Sequence, residues 1–569
     1  MTDCNFKKIK NIYRGKKITL YFLCTVITIH FFTACSKKED APAIVPKDTS
    51  LSFTVNGLSN GTTSYKGLNL RPVIVLNFTE PVNISTTTDN IKLSVPFSTI
   101  IPISIIAGNS NKQLTITPQA DLAAFTTYTL GIGSGIQSSG GGRLTNPASI
   151  SLLTGINYTD KFPRITDEEL LTKIQQQTFK FFWDFGHPIS GLARERNTSG
   201  ETVTSGGSGF GIMAIPVGIS RNFITRAEGL TRMQKIVGFL KNTAVKVKGA
   251  FPHWLNGTTG AIIPFSANDN GADLVETSYL MMGLLTARQY FNGADPAEVT
   301  LRSDINTLYN NVEWDWFRNG GQNVLYWHWS PDKGWAINLP IRGWNESLIT
   351  YVMAASSTTH GIPASVYTNG WKTGSNFNNG NSYYGIQLPL GPALGGPLFF
   401  EHYTFMGINP NGLVEGGINY LTQAKNHTLI NYNYCKANPK AWYGYGDSCW
   451  GLTASDIEGG YTASSPNNDR GFIAPTAALS SFPFTPTESM QALKFFYYII
   501  GDKIFKEYGF VDAFSLSNPW FASSFLAIDQ GPVISMIENY RTGLVWNLFT
   551  SCPEVKAGMP SLGFTAPYL

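Results

Sequence analysis

The sequence predicts two folded units, an all-β sandwich followed by an all-α domain of the (α/α) barrel type. Short alternating or β-branched stretches, divided by Asn, Gly and Pro turns, occupy residues 50–155. Helical patterns separated by long loops occupy residues 156–569. All 13 Trp lie in this second part of the chain. The 569 residues exceed one ordinary domain, in agreement with this division.

Residues 1–34 have the pattern of an export signal. Lys16 and Lys17 precede an apolar run from Ile18 to Phe32, which is shorter than the about 20 residues that span a bilayer. The following FTAC resembles the lipobox of bacterial lipoproteins, so we expect Cys35 to carry the lipid. An ordinary signal peptide with a chance cysteine is the alternative. Residues 35–49 are polar and aperiodic, which is typical of a tether.

The composition excludes several classes of protein. A net charge of +4 is small for this length and predicts neither nucleic-acid binding nor membrane-surface binding. After Cys35, three cysteines remain: Cys435, Cys449 and Cys552. The first two could pair, but an odd set is no disulfide framework. The Cys and His spacings predict no metal site, and we expect no cofactor.

The β unit, residues 50–155, is predicted to be a sandwich of short strands. Its strand-like stretches include PVIVLNFTEPVN, QLTITP and TYTLGIG, each bounded by turn residues. These stretches resemble bacterial Ig-like domains. The unit contains no Trp, and we expect it to be a spacer.

The helical region opens with two capping boxes, in which a Thr and a Glu three residues later satisfy free backbone N–H groups. Thr166 and Glu169 form the first, and Thr225 and Glu228 form the second. About ten helical patterns with alternating short and long loops predict a toroid of helical hairpins whose loops gather at one mouth. A two-layer α-solenoid is the alternative, although no fixed-period repeat favours it.

The stretch NDNGADLVETSYLMMGLL carries three acids, Asp269, Asp273 and Glu276, before an apolar helix. Their i, i+4, i+7 spacing puts all three on one face if helical geometry extends back to Asp269. Asp273 and Glu276 could instead be a local capping pair. Because the helix is apolar around most of its circumference, we expect an inner helix that presents the acids to the barrel mouth.

A second candidate is Glu346, in IRGWNESLITYVMAA. A carboxyl beside Trp344 and other apolar residues loses hydration, which raises its pKa and suits a general acid. A Glu that only complements the helix dipole is the alternative.

Three further polar groups lie in apolar or Gly-rich surroundings. Asp529 precedes the last long helix in AIDQGP, where it could also be an N-cap. Asp456 follows YGDSCWGLTAS, and Glu401 with His402 interrupts LFFEHY. Many Trp also lie in loops beside Asn, Gly and His, although most Trp are expected in the core. An indole face binds the C–H face of a sugar, and carboxyls near Trp-rich loops are the groups that glycoside hydrolysis requires.

The stretches NDNGADLVETSYLMMGLL, YWHWSPDKGWAINLPIRGWNESLI, YGDSCWGLTASD and AIDQGPVISMIENYRTGLVWNLF resemble the bacterial glycoamylase-like domain. Within it, residues 158–569 are most similar to glycoside hydrolase family 144. The resemblance implies an (α/α)6 barrel that hydrolyses β-1,2-glucan, by endo cleavage or exo release of sophorose, with inversion of configuration. It implies Glu346 as the general acid and leaves Asp269, Asp273, Glu276 and Asp529 as further catalytic candidates. Expected substrate contacts are Trp329, Trp335, Arg342, Trp344, Asn345, Glu401, His402, Trp450 and Asp456.

The partners follow from this resemblance. We expect a β-glucan substrate, a lipid anchor in the cell envelope of a Gram-negative bacterium, and a monomer. A non-catalytic glycan-binding lipoprotein and a polysaccharide lyase on the same fold are the alternatives. Endo or exo action depends on whether a loop blocks the groove, and Tyr367–Gly391 and Ala454–Pro475 are long enough to do so.

Overall fold

The structure, a computed structural model, describes residues 45–95 and 99–569. The predicted export signal, Cys35 and most of the tether lie outside the described residues. Within the described ranges, no helix combines the length and the apolar character that crossing a membrane requires. Cys435, Cys449 and Cys552 are buried free thiols, so the first two do not pair.

The β unit is a sandwich of two sheets, with strand orders β1-β3-β7-β6 and β2-β9-β8-β4-β5. All neighbouring strands are antiparallel except β2 and β9. Alternation decides which side chains face inward: in β7, Leu114 and Ile116 are buried between half-exposed polar neighbours. The strands are β1 Leu51–Val55, β2 Ser64–Leu68, β3 Ile74–Phe78, β4 Ile91–Ser94, β5 Ile100–Ile101, β6 Ile103–Gly108, β7 Gln113–Pro118, β8 Thr127–Ile132 and β9 Ala148–Thr154, with a short helix α1 at Thr87–Asn90.

The second unit is helical, and both predicted capping boxes are present at the starts of α2 and α4. Its helices are α2 Asp167–Trp183, α3 Ser205–Ser220, α4 Arg226–Asn242, α5 Leu274–Tyr290, α6 Pro296–Asn310, α7 Leu348–Ser356, α8 Ala364–Asn369, α9 Phe399–Phe405, α10 Tyr420–Ala437, α11 Pro475–Leu479, α12 Pro486–Lys494, α13 Gly501–Ile504, α14 Ala527–Arg541, α15 Leu544–Thr550 and α16 Pro553–Ser561.

Short strands lie in the connections between the helices. They are β10 Thr202–Thr204, β11 Trp254–Asn256, β12 Ile262–Ile263, β13 Ala272–Asp273, β14 His328–Trp329, β15 Ser382–Tyr383, β16 Ile386–Gln387, β17 Val414–Glu415, β18 Ile418–Asn419, β19 Ala454–Ile457, β20 Gly460–Ala463, β21 Phe505–Lys506, β22 Gly509–Phe510, β23 Phe514–Ser515 and β24 Trp520–Phe521.

Inner and outer helices alternate, which is the arrangement of an (α/α)6 barrel. Six helices are buried along most of their length: α3, α5, α7, α9, α11 and α14. Between them lie helices such as α2, α4 and α6, which bury one stripe and expose the other. The sequence prediction of an inner helix at α5 is confirmed, since Leu274 to Arg288 are all buried.

Helix α3 shows how closely the inner helices approach each other. A Cβ added to Gly209 would lie 2.2 Å from the Tyr279 carbonyl oxygen, and one added to Gly283 would lie 2.2 Å from the Gly209 carbonyl oxygen. These glycines therefore let the α3 and α5 backbones pack directly against each other. The Gly-rich stretch at 206–212 gave no helix signal in the sequence, because its amphipathic period is absent.

Candidate active site

A cavity of about 440 Å³ lies at the N-terminal ends of the inner helices. Glu276 and Tyr279 of α5, Glu346 before α7, and Tyr403 of α9 line it. Its aromatic walls also include Trp254, Phe265, Trp327 and Tyr461. The predicted meeting of acids from separate inner helices with aromatic rings at one mouth is therefore present in the structure.

Glu276 lies in the first turn of α5 and faces the cavity. Its Oε2 accepts hydrogen bonds from the Gly206 backbone N–H at 2.8 Å and from the Thr204 hydroxyl at 3.4 Å. A Cβ on Gly206 would lie 2.4 Å from that oxygen, so only glycine permits this contact without a shift. Burial raises the pKa of Glu276, while the neighbouring His253 opposes that rise.

Asp273 is completely buried and binds protein groups with both oxygens. Its Oδ1 caps α5 by accepting from the Val275 and Glu276 backbone N–H groups at 3.0 and 2.9 Å. Its Oδ2 lies 3.2 Å from His253 Nδ1 and 3.4 Å from His328 Nε2. Burial opposes ionisation, but the two imidazoles prevail and hold the pKa of Asp273 well below its usual range.

Asp269 lies in a loop beside Asp273. Helical geometry does not extend back to Asp269, so the three acids do not share one helix face. Helix α5 begins at Leu274, and residues 272–273 pair as a strand with β14. Asp269 Oδ2 nonetheless lies 3.7 Å from His253 Nδ1 and 3.5 Å from His328 Nε2. The two histidines, rather than a shared helix face, therefore bring the acids together.

The sequence analysis missed the two histidines that hold these acids together, His253 and His328. Burial lowers the pKa of His253, but Glu276, Asp269 and Asp273 outweigh this effect and raise it well above the usual value. The pKa of His328 is raised for the same reason, chiefly by Asp273. His253, Asp269 and Asp273 also offer three ligand atoms within 4.8 Å of one another, a set that could hold a metal ion. The sequence feature that could have indicated His253 is the neighbouring Trp254, one of the Trp residues in loops beside Asn, Gly and His.

Glu346 lies two residues before α7 and lines the same cavity as Glu276. It is half-buried, and its carboxyl has no cationic partner among the ion pairs of the described residues. Loss of hydration raises the pKa of Glu346 to about 7, and the nearby Glu276 and Asp273 contribute to the rise. The carboxyl is therefore partly protonated near neutral pH.

Asp529 does not line the cavity, although its neighbour Ile528 does. It is inside α14 rather than before it, and only 2 % of its surface is exposed. Burial and the adjacent Asp512 raise the pKa of Asp529 well above its usual range. Burial likewise raises the pKa of Asp512 to about 7. Asp529 therefore favours the protonated form beside Asp512, behind the cavity wall.

Four predicted substrate contacts are core residues instead. The Trp344 indole donates to Glu401 Oε1 at 3.0 Å, and Gln423 and His427 lie 2.9 Å from the same oxygen. His402 is enclosed and pairs with the Ser481 hydroxyl at 2.9 Å, and burial lowers its pKa to about 3. Trp450 is fully buried and donates to the Glu488 carbonyl at 3.2 Å. Polar atoms of these four side chains form hydrogen bonds with other protein groups inside the barrel, so they do not reach a ligand in the cavity.

The other five predicted contacts do not line the cavity either. Trp329 and Trp335 are half-buried and pack on Trp316, with ring centroids 5.6 and 4.9 Å away. Arg342 is exposed, and Asn345 accepts from the Ser347 backbone N–H at 2.9 Å. Asp456 lies beside the cavity on β19, where Arg196 and Ser524 bind it at 3.1 and 2.6 Å.

The loop 454–475 contributes a hairpin to the cavity wall. Its strands β19 and β20 pair from Ala454 with Ala463 to Ile457 with Gly460. Ala454, Tyr461 and Ala463 all line the cavity. The sequence analysis singled out this loop by its length but not its residues, because contact with the cavity depends on the hairpin register.

The barrel and this cavity bring together the groups that glycoside hydrolysis uses: one carboxyl whose pKa is raised, a second carboxyl in the same cavity, and aromatic walls. A bacterial Ig-like domain family matches residues 40–156, and the glucoamylase family matches residues 338–553.

Three similar proteins extend these matches. An exo β-1,2-glucooligosaccharide sophorohydrolase (non-reducing end) from Parabacteroides distasonis is 45% identical over 421 residues, which is 70% of this chain and 58% of that protein. The chain thus spans less than two thirds of this relative. An endo-β-1,2-glucanase from Chitinophaga pinensis, solved with sophorotriose and glucose, is 48% identical with a TM-score of 0.70, covering 71% of this chain and 100% of that one. A β-1,2-glucanase structure from P. distasonis is 37% identical with a TM-score of 0.69, covering 88% and 72%.

The chain belongs to this family of bacterial glucoamylase-like proteins, the glycoside hydrolase family 144 group, and carries an Ig-like domain before the barrel.

Proposed function

We propose that the protein is a glycoside hydrolase that cleaves β-1,2-glucan with inversion of configuration. The observation that carries the proposal is the pair of carboxyls in one cavity, Glu346 with a pKa of about 7 and Glu276 held by the Gly206 N–H. The similar proteins that act on β-1,2-linked glucose supply the substrate class.

Glu346 is the general acid. It protonates the glycosidic oxygen as the bond breaks, so its proton must be present in the Michaelis complex. Apolar and aromatic surroundings keep that proton on the carboxyl near neutral pH. The aromatic rings of the cavity, including Trp254 and Trp327, pack against sugar faces and exclude water from the leaving group.

Glu276 is the base that activates water. It is favoured over Asp273, whose two oxygens are used by the α5 cap and the histidines. It is favoured over Asp529, which lies behind the wall and keeps its proton beside Asp512. His253, whose Nε2 lies 4.0 Å from Glu276 Oε1, favours the ionised form that a base requires.

Digestion of linear β-1,2-glucan, with β-1,3- and β-1,4-glucans as controls, tests the substrate. We expect new reducing ends from the β-1,2-glucan alone, with the α-anomer formed first. Affinity without new reducing ends would identify a glycan-binding protein, and unsaturated products absorbing in the ultraviolet would identify a lyase. The size of the first products, disaccharide or mixed, distinguishes exo from endo action.

Addition of azide to alanine variants tests the base. Azide can replace the water nucleophile when the base is missing, so Glu276→Ala should recover activity with formation of a glycosyl azide. The same rescue in Asp529→Ala, and not in Glu276→Ala, would transfer the role to Asp529.

We also propose that the protein is anchored in the cell envelope through a lipid on Cys35. The FTAC motif after an apolar run supports this proposal. Labelled palmitate should enter the wild-type protein but not a Cys35→Ala variant, and equal labelling of both would reject the anchor.

A further inference from the structure

A second groove of about 540 Å³ lies beside the cavity at the β19–β20 hairpin. Arg196 and Tyr461 line both spaces, so the two spaces are neighbours. Trp520 and Ser524 also line the groove.

The groove has the chemistry of a sugar site. Trp520 is half-buried and presents its indole, while Tyr461 is 50% exposed at the junction. Asn197, Asp456 and Ser524 also line the groove. Ser524 donates to Asp456 Oδ2 at 2.6 Å and Asn197 donates to the Ser523 carbonyl at 2.9 Å, which leaves oxygen lone pairs of these side chains as acceptors for sugar hydroxyls. An aromatic face beside several polar groups binds the apolar face of a glucosyl ring and its hydroxyls together.

The wall that carries Trp520 belongs to a hairpin, residues 514–521, that the Ig-like domain contacts directly. Its strands β23 and β24 pair Phe514 with Phe521 and Ser515 with Trp520. Phe125 of the Ig-like domain packs edge-on against Phe521, with ring centroids 5.5 Å apart. Lys66, from strand β2, donates to Asn518 at 3.1 Å in the turn of the same hairpin.

Two further details show that this contact between the domains is specific. Phe125 adopts a left-handed backbone conformation, with a φ of 53°, which a bulky residue holds only when its surroundings require it. Tyr443 of the barrel packs so closely on the Ig-like domain that a Cβ at Gly67 would lie 2.6 Å from its ring. The Tyr443 N–H also donates to Ser517 of the hairpin at 2.7 Å.

We propose that the groove binds further glucosyl units of a long glucan, with Trp520 as the stacking platform and the Ig-like domain as the support that positions it. Phe125 and Lys66 are positioning residues, since they contact the hairpin and not the groove. The inference rests on the proposed function. It replaces the expectation that the Ig-like domain is only a spacer.

The test compares kcat/KM on polymeric β-1,2-glucan with kcat/KM on a short β-1,2-linked oligosaccharide, in the full-length protein. Trp520→Ala should lower the long-to-short ratio about tenfold, the factor expected for one lost aromatic contact. Phe125→Ala should lower the same ratio about threefold through a rise in KM, because the platform is displaced rather than removed. Trp520→Phe and Phe125→Tyr should restore most of the ratio.

Ile106→Ala is the matched control, because Ile106 is a 62% exposed apolar residue of the same Ig-like domain on strand β6. It should leave the ratio unchanged, and thermal melting should show all variants folded. Equal losses on both substrates, or an unchanged ratio in Trp520→Ala, would overturn the inference while leaving the glucanase proposal intact. A wild-type protein inactive on both substrates would overturn both, which is a distinct result.

Discussion

Glu346 and Asp273 are carboxyls of the same region that behave in opposite ways. Glu346 faces the cavity among aromatic and apolar side chains, and its pKa rises to about 7. Asp273 is even more deeply buried, yet its pKa falls below the usual range because two imidazoles and two backbone N–H groups bind its charged form. Burial alone therefore does not decide protonation; the presence of donors does.

The two carboxyls therefore have different parts in the proposed mechanism. Glu346, which has no cationic partner among the described residues, supplies the proton for the leaving group, whereas Asp273 fixes α5 and the histidines beside Glu276. Glu401 is a third case, since it is fully enclosed but accepts from the Trp344 indole and lies outside the cavity.

The largest effect is expected at Glu346. Glu346→Gln keeps the shape but cannot give a proton, so hydrolysis of β-1,2-glucan should fall about 10²–10⁴-fold. Thermal melting should show an intact fold, and bound glucan should still be detected by calorimetry. Activity within tenfold of the wild type would remove Glu346 from the acid role.

A loss of about 10²-fold is expected for Asp273→Asn, because the histidines lose their charged partner and Glu276 loses its fixed surroundings. Asparagine still caps a helix, so the loss of melting temperature should reflect only the lost charge pairs with the two histidines. Asp273→Ala is the matched variant, in which the lost cap should cost a further about 0.5–2 kcal/mol of unfolding free energy. If both variants melted alike, the capping role would be wrong.

The pH profile should show a smaller, graded effect. Glu346 is active when protonated, so kcat/KM should be highest below its pKa of about 7 and fall roughly tenfold for each pH unit above it. The negative charge of Asp273 contributes to this raised pKa, so the alkaline limb should move to lower pH in Asp273→Asn. An alkaline limb that moves upward in this variant would contradict the assignment.

The smallest effect on activity is expected for Trp344→Phe. The change removes the indole N–H that Glu401 accepts, which should cost about 1–3 kcal/mol of unfolding free energy. Activity at a permissive temperature should remain within about twofold, because Trp344 does not line the cavity. Lost activity without lost stability would restore Trp344 as a substrate contact.

The sequence by itself determined the division into a β sandwich and a helical barrel, because alternation and helical periodicity are local signals of burial. The capping boxes at Thr166 and Thr225 were fixed in the same way, by residues three apart. It also singled out Glu346 and Glu276 among several candidate acids, because each stands beside apolar helix sequence, and the structure places both at the cavity.

Only the tertiary structure decided which polar residues face the cavity. Trp344, Glu401 and His402 have the same local signature as Glu346, but neighbours far along the chain enclose them. Residues about 20 to 400 positions apart meet in the contacts of His253 and His328 with Asp273 and in the contact of Phe125 with Phe521. Such contacts depend on how inner helices, hairpins and domains pack, which no local pattern records.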